Sequence, residues 1–274
     1  MSGDLRIERL SKAFPVRKGW GPKGWGRSTW HSVFRDISFS VRAGEFVTVI
    51  GPSGCGKSTL LSIAAGLDAA TGGAVSVDGR TVFGPGLDRG VVFQEFALFP
   101  WLSVRDNIQF GLKSMGLLRE ERLARTEKYV ALVGLSRFAD YFPGKLSGGM
   151  RQRVGIARAL AVEPAVLLMD EPFGALDALT RENMQTALSD IWQNTRKTVL
   201  FITHDINEAV YLSERVLVLN GHPSEIVLEV DVALPRPRSR HDAGFQAIVQ
   251  KLEDAIRGKA LAPDDDNGPT ADRQ

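Results

Sequence analysis

The chain has 274 residues, enough to bury one substantial core. Its formal charge of +2, with 24% charged and 43% hydrophobic residues, is that of an ordinary globular protein and excludes a strongly basic nucleic-acid binder. Apolar runs such as residues 165–169 and 198–202 fall far short of the roughly 20 residues that cross a bilayer, so membrane contact is expected to be peripheral. Cys55 is the single cysteine and the opening MSGDLRIERL carries no apolar signal core, which together point to a reducing cytosol.

In chain order the first unusual stretch is KGWGPKGWG, residues 18–26, a short unit stated twice around a proline. Neither a helix nor a central strand tolerates that density of Gly and Pro, and we read it as a solvent-exposed hairpin extension. SVFRDISFSV and EFVTVI then read as strands, and GPSGCGKST breaks into the helical pattern LLSIAAGL. AVSVDGRTV alternates around Asp78-Gly79, a hairpin signal, and GVVFQ is a further short strand. Residues 103–160 turn helical, with charged stretches such as REERLARTEKYVALV forming a solvated face. AVLLMDE, TVLFITH and RVLVLN return as strands separated by helices, the first of which puts Met184, Ala187, Leu188, Ile191 and Trp192 on one face. Strands alternating with helices predict an α/β protein with a mostly parallel sheet, interrupted at about 95–160 by a helical insert. Beyond Leu234, PRPRSR reads as a linker. Phe245, Ile248, Val249, Leu252 and Ile256 then predict one short amphipathic helix, and APDDDNGPTADRQ a disordered tail. The expected organisation is therefore one domain over 5–235 and a short helix with its tail over 236–274.

GPSGCGKST satisfies the P-loop pattern G-x-x-x-x-G-K-[ST] through Gly51, Gly56, Lys57 and Ser58. Its glycines let successive N–H groups turn inward as an anion nest, and the following helix adds its positive end. The segment Gly51, Pro52, Ser53, Gly54, Cys55, Gly56, Lys57, Ser58 and Thr59 is the expected nucleotide cradle. Lys57 is expected to reach the β- and γ-phosphates of a nucleoside triphosphate, and Ser58 is placed to ligate Mg²⁺. Cys55 is a small loop residue with no second cysteine to resolve it. AVLLMDE ends a strand in Asp170, expected to hold the Mg²⁺ shell, and Glu171, expected to orient and deprotonate the attacking water.

Between these elements stands LSGGMRQRVGIARAL, and with it the sequence resembles the ATPase subunits of ABC transporters. The resemblance covers roughly 5–235 and implies a P-loop NTPase core with an antiparallel β subdomain and an inserted helical subdomain. It implies that Ser147, Gly148 and Gly149 grip the γ-phosphate of ATP held by a second copy, so that two nucleotide sites are shared head to tail in a homodimer. Gln94 matches the glutamine that contacts Mg²⁺ and water, Asp177 lies in the segment facing the dimer partner, and His204 matches the histidine that contacts the γ-phosphate. Phe14 matches the aromatic that stacks on adenine. Met150 departs from the usual Gln of the signature but leaves the Ser-Gly-Gly nest intact. His31, His222 and His241 have no such context and are expected to be structural.

Within the family FQEFALFPWLSVRDNI, DEPFGALDALTR and THDINEAVYLSERVLVL look most like the importer branch for nitrate, aliphatic sulfonates and taurine. The implied partners are two integral membrane permease subunits, docked near residues 94–101 through Phe99, Pro100 and Trp101, and an extracytoplasmic solute-binding protein. The implied location is the cytoplasmic face of the cell membrane, with no nucleic-acid partner. The alternative is a soluble ABC-type ATPase acting on nucleic acid or the ribosome. Such proteins commonly carry two P-loops or a long coiled-coil insert, whereas this chain has one P-loop and no heptad run. A sharper reading of the 18–26 loop lets Trp20, Trp25 or Trp30 cover adenine beside Phe14 while Arg17, Lys18, Lys23 and Arg27 approach phosphates or acidic headgroups.

Overall fold

The computed structural model describes residues 3–17 and 28–260. Trp20, Trp25, Lys18, Lys23, Arg27 and the tail past residue 260 therefore lie outside the described residues, and the expectations made for them rest on sequence.

Two sheets form the frame. One is antiparallel in the order β2-β1-β4-β5, from β1 (Leu5–Arg17), β2 (Ser28–Val41), β4 (Gly72–Val77) and β5 (Arg80–Thr81). Asp78 and Gly79 turn β4 into β5 with both φ values positive, the geometry a two-residue hairpin requires. The β1–β2 pairing runs out to Arg17 opposite Ser28.

The second sheet has the order β10-β9-β3-β8-β7-β6. Its strands are β3 (Phe46–Ile50), β6 (Arg89–Val92), β7 (Val166–Asp170), β8 (Thr198–Ile202), β9 (Arg215–Asn220) and β10 (Glu225–Asp231). All pairs are parallel except β9 with β10, which closes one edge. The central strands are mostly apolar because both faces are covered, and their two-residue period splits each strand between two cores. Val199 and Phe201 of β8, with Val216 and Val218 of β9, face the core shared with the helical insert. Leu200, Ile202, Leu217 and Leu219 face the core built by the antiparallel sheet and α1 (Lys57–Ala65). A fully buried side chain of this kind contributes about 1.5–3 kcal/mol relative to leaving it in water.

The helical insert comprises α2 (Val104–Leu112), α3 (Arg119–Leu132) and α4 (Gly148–Ala161). Ser103 caps α2, accepting from the Asp106 N–H at 3.1 Å. On the same side of the sheet lie α5 (Ala178–Thr195), α6 (Ile206–Leu212) and α7 (Ala243–Ala260). The apolar face read along α5 is where Met184, Leu188, Ile191 and Trp192 are buried, Trp192 edge-on to Phe46 with centroids 5.9 Å apart.

The expected linker after Leu234 needs correction. Helix α6 is buried and ends with carbonyls that no helical N–H can reach. Arg238, 8% exposed, donates to the carbonyls of Val210 at 2.7 Å, Tyr211 at 3.2 Å and Val232 at 3.1 Å, and Arg236 donates to Tyr211 at 3.3 Å. PRPRSR is thus a strap that caps a helix, and it delivers α7 onto β9 and α6 with Phe245 and Leu252 wholly buried. Burial pushes the Arg238 guanidinium down to about 10, with Arg236 adding to the shift.

Candidate functional site

Strand order builds the site. Because β8 lies between β3 and β7, the C-terminal ends of three parallel strands open side by side, and the loops that leave them carry the P-loop, Asp170-Glu171 and His204. Gly56, with φ 93°, precedes α1 at a close approach to the antiparallel sheet: a Cβ there would stand 2.4 Å from Val33 Cγ1 and 3.0 Å from Phe34 Cδ1. The antiparallel sheet therefore presses the loop into shape from outside. Lys57 is buried, its ammonium donating to the carbonyls of Gly51 at 2.9 Å and Pro52 at 3.1 Å. Ser53, Gly54, Gly56, Lys57, Ser58 and Thr59 line a cavity of about 330 Å³ closed by Val33 and Glu171. Cys55 packs beneath it, where burial pushes its thiol up.

Opposite the loop, Ser58 Oγ donates to Asp170 Oδ1 at 3.0 Å. Burial raises the Asp170 carboxyl, the Ser58 bond opposes that rise, and the neighbouring Glu171 charge adds to it. A hydroxyl and a carboxylate in contact are the oxygen donors that a small hard cation takes. Glu171 has φ 40°, a left-handed backbone that costs a non-glycine residue about 1–3 kcal/mol. Its N–H is held by the Ile202 carbonyl at 2.9 Å, and its carboxylate Oε2 accepts from His204 Nδ1 at 2.8 Å. Gln94 is exposed, and its amide approaches the same corner: a Cβ on Gly174 would sit 3.5 Å from Gln94 Nε2 and 3.9 Å from Glu171 Oε2.

A second group of expected residues gathers elsewhere. Ser147 caps α4, accepting from the Met150 N–H at 3.3 Å, and Asp177 caps α5, accepting from Thr180 at 3.0 Å. The two helix starts are packed together, since a Cβ on Gly149 would meet Thr180 Cγ2 at 2.8 Å and one on Gly148 would meet Leu176 Cδ2 at 3.1 Å. Among the described residues none of Ser147, Gly148, Gly149 or Asp177 lines the P-loop cavity. Phe14 stands apart as well, 41% exposed on β1 opposite His31, with the Lys12 ammonium 4.6 Å from its ring centroid.

The chain matches the family model described as ABC transporter over residues 34–174. It is 52% identical over 234 residues to the nitrate import ATP-binding protein of a Synechocystis species, covering 82% of this chain and 88% of that one. The chain belongs to the ABC transporter family. The taurine import ATP-binding protein of Pseudomonas aeruginosa is 50% identical over 80% of this ABC chain and 82% of its own length. Among solved structures, a dimeric ATP-binding cassette in a post-hydrolysis state, bound to ADP and Pi, superposes with a TM-score of 0.68 at 32% identity. It covers 84% of this chain and is itself matched completely. The P-loop α/β core, its antiparallel subdomain and its helical insert are those of an ABC ATPase, and the chain's reaction is ATP hydrolysis.

Several contacts of this ABC subunit were not read from its sequence. Arg151 stacks 5.0 Å over Phe96, and Arg158 donates to the Ala97 carbonyl at 2.6 Å. The signature helix is thereby fastened to the segment that carries Gln94. Those arginines are visible as a run in RQRVGIAR, but the run does not name their partners. Asp205-x-x-Glu208 directly after a strand is a capping-box signal that the sequence itself carries.

Proposed function

We propose that this chain is the ATP-hydrolysing subunit that energises import of a small solute, an anion of the nitrate, sulfonate or taurine kind, through two partner membrane subunits. The observation that carries the reading is the contact between Glu171 and His204 at the mouth of the P-loop cavity, 2.8 Å between carboxylate and imidazole. Since a carboxylate only accepts, the imidazole Nδ1–H donates, and the bond holds Glu171 Oε2 in one direction. Glu171 is the base that takes the proton of the attacking water, and its strained backbone aims it there. Lys57, already held at the loop's mouth, exchanges carbonyl partners for β- and γ-phosphate oxygens. Ser58 and Asp170, with Gln94 close by, would hold Mg²⁺, which when bound neutralises charge on those oxygens.

Ser147, Gly149 and Asp177 lie outside this cavity, which supports a second copy as the source of the nucleotide they serve; the dimeric form of the similar cassette supports the same reading. Differential affinity of ATP for the closed pair is what performs work on attached membrane subunits. Their docking surface is the cavity of about 700 Å³ lined by Gln94, Glu95, Phe96, Leu98, Pro143 and Arg151. Beside it Phe99 stacks on Trp101 and Phe110, with Trp101 70% exposed. A solute-binding protein on the far side of the membrane completes the assembly, and this subunit lies on the cytoplasmic face.

Glu171→Gln tests the assignment. Turnover is expected to fall by about 10² to 10⁴ while ATP still binds. Wild-type turnover by that variant sinks it.

A further inference from the structure

We propose that Glu208 is the positioning residue for His204, acting through the Thr203 hydroxyl; the inference rests on the reading of His204 as a residue on the nucleotide side. His204 sits between two residues that Glu208 controls. Thr203 is 2% exposed, and its Oγ1 donates to Glu208 Oε2 at 2.6 Å while accepting from the Asp205 N–H at 3.0 Å. Asp205 caps α6 by accepting from the Glu208 N–H at 3.1 Å. In an ordinary capping box the third helical residue reaches back to the cap's own N–H. Here Thr203 is inserted into that bond, so one carboxylate fixes the residue before His204 directly and the residue after it through the hydroxyl. The Thr203 N–H is held by the Val49 carbonyl at 3.3 Å, so the whole turn is referenced to β3, the strand that leads into the P-loop.

Glu208 itself is 4% exposed, and its carboxylate is anchored from the opposite side. Gln185 Nε2 of α5 donates to Oε1 at 3.1 Å, and Arg240 of the C-terminal strap donates to Gln185 Oε1. Arg181 Nε lies 3.8 Å from the same Oε1. Arg181 also donates to the carbonyls of Phe173 at 3.4 Å and Leu176 at 2.9 Å, in the loop that follows Glu171. One buried carboxylate thus joins the His204 turn, the Glu171 loop, α5 and the strap. A group placed only to cap α6 needs none of the last three.

The test is steady-state ATP hydrolysis by the full chain, with ATP affinity and melting temperature measured alongside, for Glu208→Ala, Glu208→Gln, Thr203→Val, His204→Ala and the Glu208→Ala/His204→Ala pair. Glu208→Ala and Thr203→Val are expected to lower kcat about 10- to 100-fold, the scale of a small misplacement near reacting groups, with KM for ATP little changed. Glu208→Gln keeps a carbonyl for the Thr203 hydroxyl but turns an amide NH2 toward the Gln185 and Arg181 donors, and its kcat is expected to fall between wild type and Glu208→Ala; a kcat as low as that of Glu208→Ala counts against the Thr203 route. The pair is expected to be no slower than His204→Ala alone, because both substitutions remove one function. Losses that multiply in the pair overturn the inference and leave the reading of His204 standing, as does wild-type kcat in Thr203→Val. Wild-type turnover by His204→Ala overturns that reading and the inference with it.

Discussion

At Glu171 the backbone adopts φ 40°, a conformation that needs support, and the support comes from Ile202 on β8 and from His204 just beyond it. Gly56 shows the complementary case, a position where any side chain fails. Its φ of 93° and the 2.4 Å approach of Val33 predict that Gly56→Ala costs about 1–3 kcal/mol of stability and at least tenfold in ATP affinity, read by thermal melting and nucleotide titration. An alanine variant that binds ATP as well as wild type contradicts this shape of loop. Phe14 is half-exposed with Lys12 over its ring, an open aromatic face consistent with base stacking at about 1–3 kcal/mol. Phe14→Ala is expected to weaken ATP binding several-fold, and deletion of residues 18–26 to change it little. A larger loss in the deletion moves the adenine platform into the tryptophan loop. The P-loop glycines and the Asp170-Glu171 strand end were legible in the sequence because their spacing is local, whereas Phe14 came only from the family resemblance. The strain at Glu171 was not, since it depends on a carbonyl 31 residues away in a neighbouring strand.

Among the elements, α6 is the one whose stability the sequence misrepresents. A seven-residue helix has only about two turns, yet about four carbonyls at its end lack an intrahelical donor, and here two arginines from residues 236–238 meet several of them. Arg238→Met is expected to leave those buried carbonyls without donors and to lower stability in urea unfolding by about 2–3 kcal/mol. An unchanged midpoint returns the segment to the linker first expected. Composition alone reads PRPRSR as a connector because Pro and Arg are surface residues on average, and the α6-end carbonyls that Arg238 meets are 25 to 28 residues earlier in the chain. The strands of the parallel sheet were legible for the opposite reason. Covered on both faces, they are apolar at nearly every position, and runs such as FVTVI and TVLFI, each with a single buried Thr, have few alternatives.

For the whole molecule, the sheet separates two cores, and the surfaces that matter lie at different places on it. One is the P-loop mouth, one is the paired start of α4 and α5, and one is the aromatic patch beside Gln94. We read the first two as completing each other across two copies of the chain, so that ATP would be the bond between subunits. This is the central claim, and it has a direct measurement: the mass in solution of the Glu171→Gln chain, with and without saturating Mg-ATP. The account predicts a monomer without nucleotide and a stable dimer with it, the dimer being lost when Ser147→Arg is added even though each P-loop still binds ATP. A Glu171→Gln chain that remains monomeric with ATP bound, or one whose dimer survives Ser147→Arg unchanged, contradicts the shared site.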